Sequence, residues 1–409
     1  MSEKAAKTGL DELAEELLKD LGKTYTPAEY VQFWGGKKYP GPFAFFNNQA
    51  SNDTIRHFVD GIGDFNPLYR DKDYAGKTRY KQVLAPPAFL LSVAYGLPVP
   101  SPKPDIIGWN AGFEFEWFRP IYEGDTFCWK LVYPSDIRMK QSQMGEKSLI
   151  VYADTGYVDR EGSTVAICRE WVINTLREKA VKLDKYSNSS ALHSYSEKEL
   201  HDIYAAQDNE IIRGSEPRYW EDVKVGEELG PVVHGPQNLA ETLAFLIGCG
   251  NTMCKSDRMW RRIDMYNRVI TDPVTKARLN LELIHLDDRI AKMVGVPAAY
   301  DFGGQRFAWL SMLLTNWIGD DGFLWKLRGE LRRFNMTGDT TWFRGRVTGK
   351  YTDNGTYCVD IDCWGENQRG EINIPGNATV ILPSRKAGAV VYPQPRDVTR
   401  SSTDVDASY

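Results

Sequence analysis

The sequence predicts an α+β protein built from one unit used twice: a helix, a loop and a second helix, then long antiparallel strands wrapped around that second helix. Three observations carry this. "FEWFRPIYEGDTFCWKLV" and "LRRFNMTGDTTWFRGRVTGK" both read as arginine, a short approach, Gly-Asp-Thr and a strand, so Gly124-Asp125-Thr126 aligns with Gly338-Asp339-Thr340. An apolar segment precedes each, at 88–95 and 307–318. Upstream of those, "YRDKDYAGKTRY" (69–80) aligns with "HLDDRIAKMVGV" (285–296).

The elements follow in order. Leu10, Leu13, Leu17, Leu18 and Leu21 recur at helical spacing and predict an amphipathic packing helix over 9–21. Ile55, Phe58, Val59 and Ile62 share a face and predict a helix over 54–62, with the loop "GDFNPLYRD" (63–71) directly behind it. Residues 111–135, 147–162 and 163–175 are rich in β-branched and aromatic side chains and read as strands, with "DREG" as a turn between two of them. Residues 176–214 turn polar and charged and read as a linker with one or two surface helices. The division is then a helical extension (1–23), a first unit (24–176), a linker (177–214), a second unit (215–385) and a tail (386–409).

Composition narrows the function. The 409 residues carry a net charge of −5, with 42% hydrophobic and 26% charged residues. That balance suits a globular chain and argues against general nucleic-acid binding, which wants a basic face. The six cysteines form no CxxC pair and no Cys/His cluster with zinc spacing, so no metal and no redox cofactor are expected. The N-terminus has no apolar signal core and no 18-residue apolar run follows, so a cytoplasmic protein without a membrane partner is expected.

"GDFNPLYRDKDYA" resembles the hydratase motif of the MaoC-like (R)-specific enoyl-CoA hydratases and acyl dehydratases, Gly-Asp-x-Asn-Pro-x-His-x-Asp. "LAPPAFL", "RPIYEGDTF" and, in the second unit, "IHLDDRIAKMVGVPAAYDFGGQRFAWLSMLLTNWIGD" are similar to later parts of the same family, so the likeness spans about residues 24–385. It implies two hotdog domains, each an antiparallel sheet around a central helix, fused as a pseudo-dimer. It also implies an acyl-CoA thioester in a tunnel between the units and no cofactor beyond the substrate's own coenzyme A. A homodimer is implied as well; a second hydratase-like subunit enters only with the alternative below, in which another chain completes the site.

Hydration of an α,β-unsaturated thioester needs a base for water, an acid for the α-carbon and a donor for the thioester oxygen. In the family an Asp and a His of the loop share the first two tasks, and an N–H at a helix start serves the third. The first unit keeps Asp64, Asn66 and Asp71 but has Tyr69 in the histidine position. A phenol with a pKa of about 10 donates a proton and is a poor base near neutrality. In the second unit His285 matches the histidine, Asp287 the trailing aspartate, and Gly250-Asn251 the Gly-Asp pair, before an insert at about 252–279. Gly303 stands where the family has its helix-start glycine.

His285 is therefore the candidate base, Gly303 the oxyanion donor and Asn251 an orienting amide, with Asp64, Asn66 and Tyr69 as first-unit candidates. Glu282, three residues before His285, is a candidate partner at helical spacing, as are Asp257 and Asp264 of the insert. Asp287 and Glu282 are candidate substrate contacts. Arg258, Arg261 and Arg262, with Lys255 and Arg268, could receive the phosphates of coenzyme A, and Arg332 and Arg333 are similar candidates. The competing reading makes the first loop a structural cap, His57 a packing or surface residue, and His193, His201 and His234 solvated. Trp109, Trp117, Trp309, Trp317 and Trp342 fit either a core or a tunnel for a bulky acyl group. The function read from this is an enoyl-CoA hydratase or 3-hydroxyacyl-CoA dehydratase. The alternative is a non-catalytic acyl-CoA-binding or partner subunit with degenerate sites.

Overall fold

The computed structural model describes residues 8–27, 29, 47–94, 105–141, 147–176, 193–250, 256, 258 and 269–398. Asn251, Arg261 and Arg262 lie outside them, as do Lys255, Asp257, Asp264 and Arg268.

The first half runs through α1 (Gly9–Leu18), β1 (Thr24–Tyr25), α2 (Asn52–Ile62), α3 (Lys72–Ala75), β2 (Leu84–Ala85), β3 (Ile106–Trp117), β4 (Ile121–Tyr122), β5 (Phe127–Gln141), β6 (Lys147–Asp159) and β7 (Thr164–Leu176). The second has α4 (Glu197–Asp208), β8 (Glu228–His234), α5 (Leu239–Cys249), β9 (Val269–Thr271), β10 (Arg278–Asn280), α6 (Asp288–Met293), α7 (Gly303–Ile318), β11 (Phe323–Glu330), β12 (Thr341–Asp353), β13 (Thr356–Asn367) and β14 (Ile372–Ile381). Ten strands form one sheet in the order β1-β5-β6-β7-β3-β11-β14-β13-β12-β8. The halves join where β3 pairs antiparallel with β11, from Glu116 opposite Lys326 to Gly112 opposite Glu330.

Alternation along β3 turns Phe113, Phe115 and Trp117 into the core. There Phe113 and Phe115 meet Phe307 of α7 at ring centroids 5.3 and 5.5 Å apart. α1 buries Leu10, Leu13 and Leu17 and starts with a capping box between Thr8 and Asp11. Leu18 lies off that buried face and Leu21 past the helix end, and both are exposed.

The internal repeat is visible in hydrogen bonds. Asp125 accepts from the Tyr122 N–H at 2.8 Å, and Asp339 accepts from the Met336 N–H at 3.1 Å, each three residues back. Their arginines differ in origin. Arg119 holds Asp125 from just upstream, whereas Asp339 is held by Arg369 from the β13–β14 turn. The expected counterparts Arg332 and Arg333 pair with Glu330 and Glu371 instead.

α2 and α5 are also equivalent, and they cross tightly. Each has a glycine two residues before its glycine cap. A Cβ on Gly61 would stand 2.6 Å from the Ala244 carbonyl oxygen, and one on Gly248 would stand 2.3 Å from that of His57. The caps Gly63 and Gly250 are left-handed, at φ 70° and 61°, and turn the chain into the two loops.

One expectation fails. The first half's apolar segment 88–95 does not form a second long helix: Pro87–Ser92 is a 3-10 turn. Pro86 and Pro87 stand at the cap and first position of this turn, where a helix tolerates proline, so they mark its start without accounting for its end. The 16-residue α7 is thus the long central helix among the described residues, buried over almost its whole length.

Candidate active site

In the second half, Leu281–His285 forms a 3-10 turn, capped by the Asn280 side chain on the Glu282 N–H at 3.0 Å. In a 3-10 helix, residues i and i+3 eclipse. This sets Glu282 beside His285, with Oε2 4.0 Å from Nε2, and both side chains are buried to about nine-tenths. His285 Nδ1 lies 2.9 Å from the Tyr300 carbonyl oxygen. A carbonyl only accepts, so Nδ1 carries the proton and Nε2 presents its lone pair toward the carboxylate. Two acceptors at that separation are too far apart to share a proton directly and suit a bridging water.

The imidazole stacks on Phe302, with centroids 3.9 Å apart, and meets Tyr300 edge-on at 4.4 Å. Phe302 is the residue before α7 and supplies no side-chain cap to it. The imidazole therefore stands beside a helix N-terminus, where the dipole and the first amides favour negative charge. Gly303 is the first residue of that helix, and a Cβ there would collide with Leu331 Cδ1 at 2.4 Å and approach Asn110 Oδ1 at 3.3 Å. The helix start is anchored from behind by the buried Asp301–Arg306 pair. Asp301 also accepts from Asn335 at 3.2 Å, and Arg306 donates to the Arg333 carbonyl at 2.6 Å.

The remaining second-half candidates lie apart from this pair. Asp287 caps α6 through the Arg289 N–H at 2.8 Å and faces the Arg289 guanidinium at 3.5 Å. Arg258 is exposed. Asn280 is a loop residue that the sequence reading passed over. It caps its 3-10 turn as Asn66 caps Pro67–Tyr69, and the Asn before the hydratase histidine was its signal.

The first loop is built the same way, with a phenol where the second has its imidazole. Asp64 accepts from the Asn66 N–H at 2.8 Å, and Asn66 accepts from the Leu68 N–H at 3.0 Å. Asp64 Oδ2 is buried without a partner, and burial pushes its carboxyl up to about 7. Burial, then Asp64, push the Tyr69 phenol far above its ordinary range, so it stays protonated. Pro87 begins the turn that corresponds to α7, so no N–H stands in Gly303's place.

His234 is not solvated as expected. Its ring stacks on Trp309 at 4.3 Å, and burial lowers its pKa to about 3. His57 and His201 are exposed, and His193 faces Glu199 at 3.5 Å. Cys128, Cys168, Cys249, Cys358 and Cys363 are free thiols. Among the described residues no group of His, Cys, Asp and Glu could hold a metal, and no helix is long and apolar enough to cross a membrane.

A cleft beside the first loop has about 510 Å³ of space between atoms, part of it open to solvent. Asn66, Tyr69, Pro87 and the C-terminal end of α7 contribute to its walls. It lies away from His285, which is not among its lining residues.

A continuous sheet, one central helix and two capped loops of hydratase pattern define a tandem hotdog protein. The model of the FAS1-like dehydratase domain region matches residues 42–168. A UPF0336 protein of Parafrankia sp. is 31% identical over 140 residues, 33% of this chain and 91% of the relative. A UPF0336 protein of Saccharopolyspora erythraea is 32% identical over 135 residues, 31% of this chain and 80% of the relative. Among solved structures, a MaoC-like dehydratase superposes with a TM-score of 0.59 at 16% identity, covering 90% of this chain and 99% of its own. A MaoC domain protein dehydratase of Chloroflexus aurantiacus does so with a TM-score of 0.53 at 14% identity, covering 89% and 96%. The chain belongs with the UPF0336 proteins; residues 42–168 match the FAS1-like dehydratase domain region, and the two solved structures share its tandem hotdog fold.

Proposed function

We propose that the second half adds water to, or removes it from, an α,β-unsaturated acyl-CoA thioester with a bulky acyl group. The observation that carries this reading is the His285–Glu282 pair, 4.0 Å apart, beside the start of α7. Water lies between the two acceptors. His285 Nε2 takes its proton while Glu282 holds the oxygen in place through a hydrogen bond. The hydroxide adds to the β-carbon, electrons move onto the thioester oxygen, and the Gly303 N–H stabilises the charge that develops there. Imidazolium then returns a proton to the α-carbon, so H and OH add across the double bond and the base is regenerated. Dehydration is the reverse.

The test is loss of conjugated absorbance with a panel of enoyl-CoA thioesters. His285→Ala is expected to lower kcat by about a thousandfold and Glu282→Gln by about a hundredfold. Asp64→Asn is expected to stay within about twofold of the wild type. A wild-type protein that binds acyl-CoA yet hydrates none of the panel would turn the reading to a partner subunit.

A further inference from the structure

We propose that Asp339 of the second Gly-Asp-Thr turn, clamped by Arg369, is a positioning residue that fixes the tautomer of His285 through one backbone rung. The inference rests on the reading of His285 as the base, and it gives a task to the motif that the two halves share.

The rung is the antiparallel bridge between Tyr300 and Met336. Its hydrogen bonds flank the pair. The Thr337 N–H donates to the Ala299 carbonyl at 2.8 Å, and the Asp301 N–H donates to the Asn335 carbonyl at 3.0 Å. Between two such bonds the central residues turn their own N–H and C=O groups outward, away from each other. On one side the Tyr300 carbonyl lies 2.9 Å from His285 Nδ1. On the other side Asp339 grips Met336 twice. The Met336 N–H donates to Asp339 Oδ2 at 3.1 Å, and the Met336 carbonyl accepts from the Asp339 N–H at 2.9 Å.

Asp339 is itself buried and held by a fork. Arg369 donates to both of its oxygens, at 2.7 and 2.9 Å, and Gln368 Nε2 donates to Oδ1 at 2.7 Å. The clamp sets Met336, and the rung carries that setting to Tyr300. The carbonyl there accepts a hydrogen bond only from an Nδ1–H, which keeps the lone pair on Nε2, toward Glu282.

The first half repeats the rung with nothing to read it. The Glu123 N–H donates to the Val83 carbonyl at 3.1 Å, Leu84 pairs with Tyr122, and Asp125 accepts from the Tyr122 N–H. Leu84 thus stands where Tyr300 does, and Tyr69 where His285 does. A phenol has no tautomer to set. Asp125, clamped by Arg119, is therefore an internal control for what such a turn does to stability alone.

Nitrogen NMR of the whole chain with labelled histidine reads the tautomer directly. The chain has five histidines, and His285→Gln identifies the signal. At about pH 8.5, above the ordinary imidazole range, wild-type His285 is expected in the Nδ1–H form. Asp339→Ala is expected to lower its ratio of Nδ1–H to Nε2–H about tenfold, Arg369→Gln about threefold, and Asp125→Ala to leave it unchanged. In enoyl-CoA hydration Asp339→Ala is expected to lower kcat about tenfold with KM within about twofold. Arg369→Gln serves if Asp339→Ala does not fold. An Nε2–H form in the wild type overturns the proposal. So does a ratio that neither second-half variant moves, or an equal shift in Asp125→Ala. A wild type that hydrates nothing yet shows the expected tautomer shifts would overturn the proposed reaction and leave the clamp standing.

Discussion

The two loops share a scaffold and differ in what it presents. Both follow a helix capped by a left-handed glycine, and both use an asparagine to cap a 3-10 turn and an aspartate to cap the next helix. In the second, the turn ends in an imidazole with a carboxylate one 3-10 turn back and a helix N-terminus alongside. In the first, the turn ends in a buried phenol, and the place of the helix start is taken by proline. A capped loop is therefore shared scaffold, and the two loops differ in the side chain that ends the turn and in the N–H beside it.

Substitutions can break that contrast. The largest expected difference is in rate. His285→Phe should lower kcat by about a thousandfold, about 4 kcal/mol of barrier, while Tyr69→Phe stays within about twofold. Equal losses in the two variants would mean that both loops act together.

Next is the anchor behind α7. Asp301→Ala leaves the Arg306 guanidinium buried without its carboxylate, and chemical denaturation should show a loss of about 3–5 kcal/mol. A loss under about 1 kcal/mol would show that backbone carbonyls alone hold that arginine.

Asp64 tests the first loop through pH. Its folded-state carboxyl is raised to about 7, so ionisation favours the unfolded chain. Stability present at about pH 4 is lost as pH rises toward about 7. Asp64→Asn removes this loss and should gain on the order of 3 kcal/mol on the wild type between those limits. Urea unfolding at both pH values checks it, and a wild-type-minus-variant difference that is the same at each would sink the idea.

The smallest effect is a null result with content. Tyr69→His restores the histidine of the first loop but not the N–H that Pro87 lacks. In the His285→Ala background it should recover no hydration in the enoyl-CoA assay. Measurable turnover there would show that another donor serves the first loop.

Much of this was legible in the sequence. The Gly-Asp-Thr repeat located equivalent turns because the same backbone N–H must be satisfied in each. Glu282 was found by its spacing from His285, though the turn that brings them together is 3-10 rather than α. Asn280 was missed because the second loop has two more residues between its asparagine and its histidine than the first has between Asn66 and Tyr69. The missing long helix of the first half was not legible, because an apolar run behind a proline start reads as a helix. The environment of His234 was not legible, because its partner Trp309 is distant in sequence.

The β3–β11 junction has a kinetic consequence. Two separate chains would find each other at a rate set by their concentration and part again on dilution. Here the tether keeps the partners at a constant, high effective concentration. Neither junction strand is left as an open edge for strangers to pair with. One copy could then lose its reactive groups through mutation and still hold its place beside the other, because their pairing no longer rests on encounter.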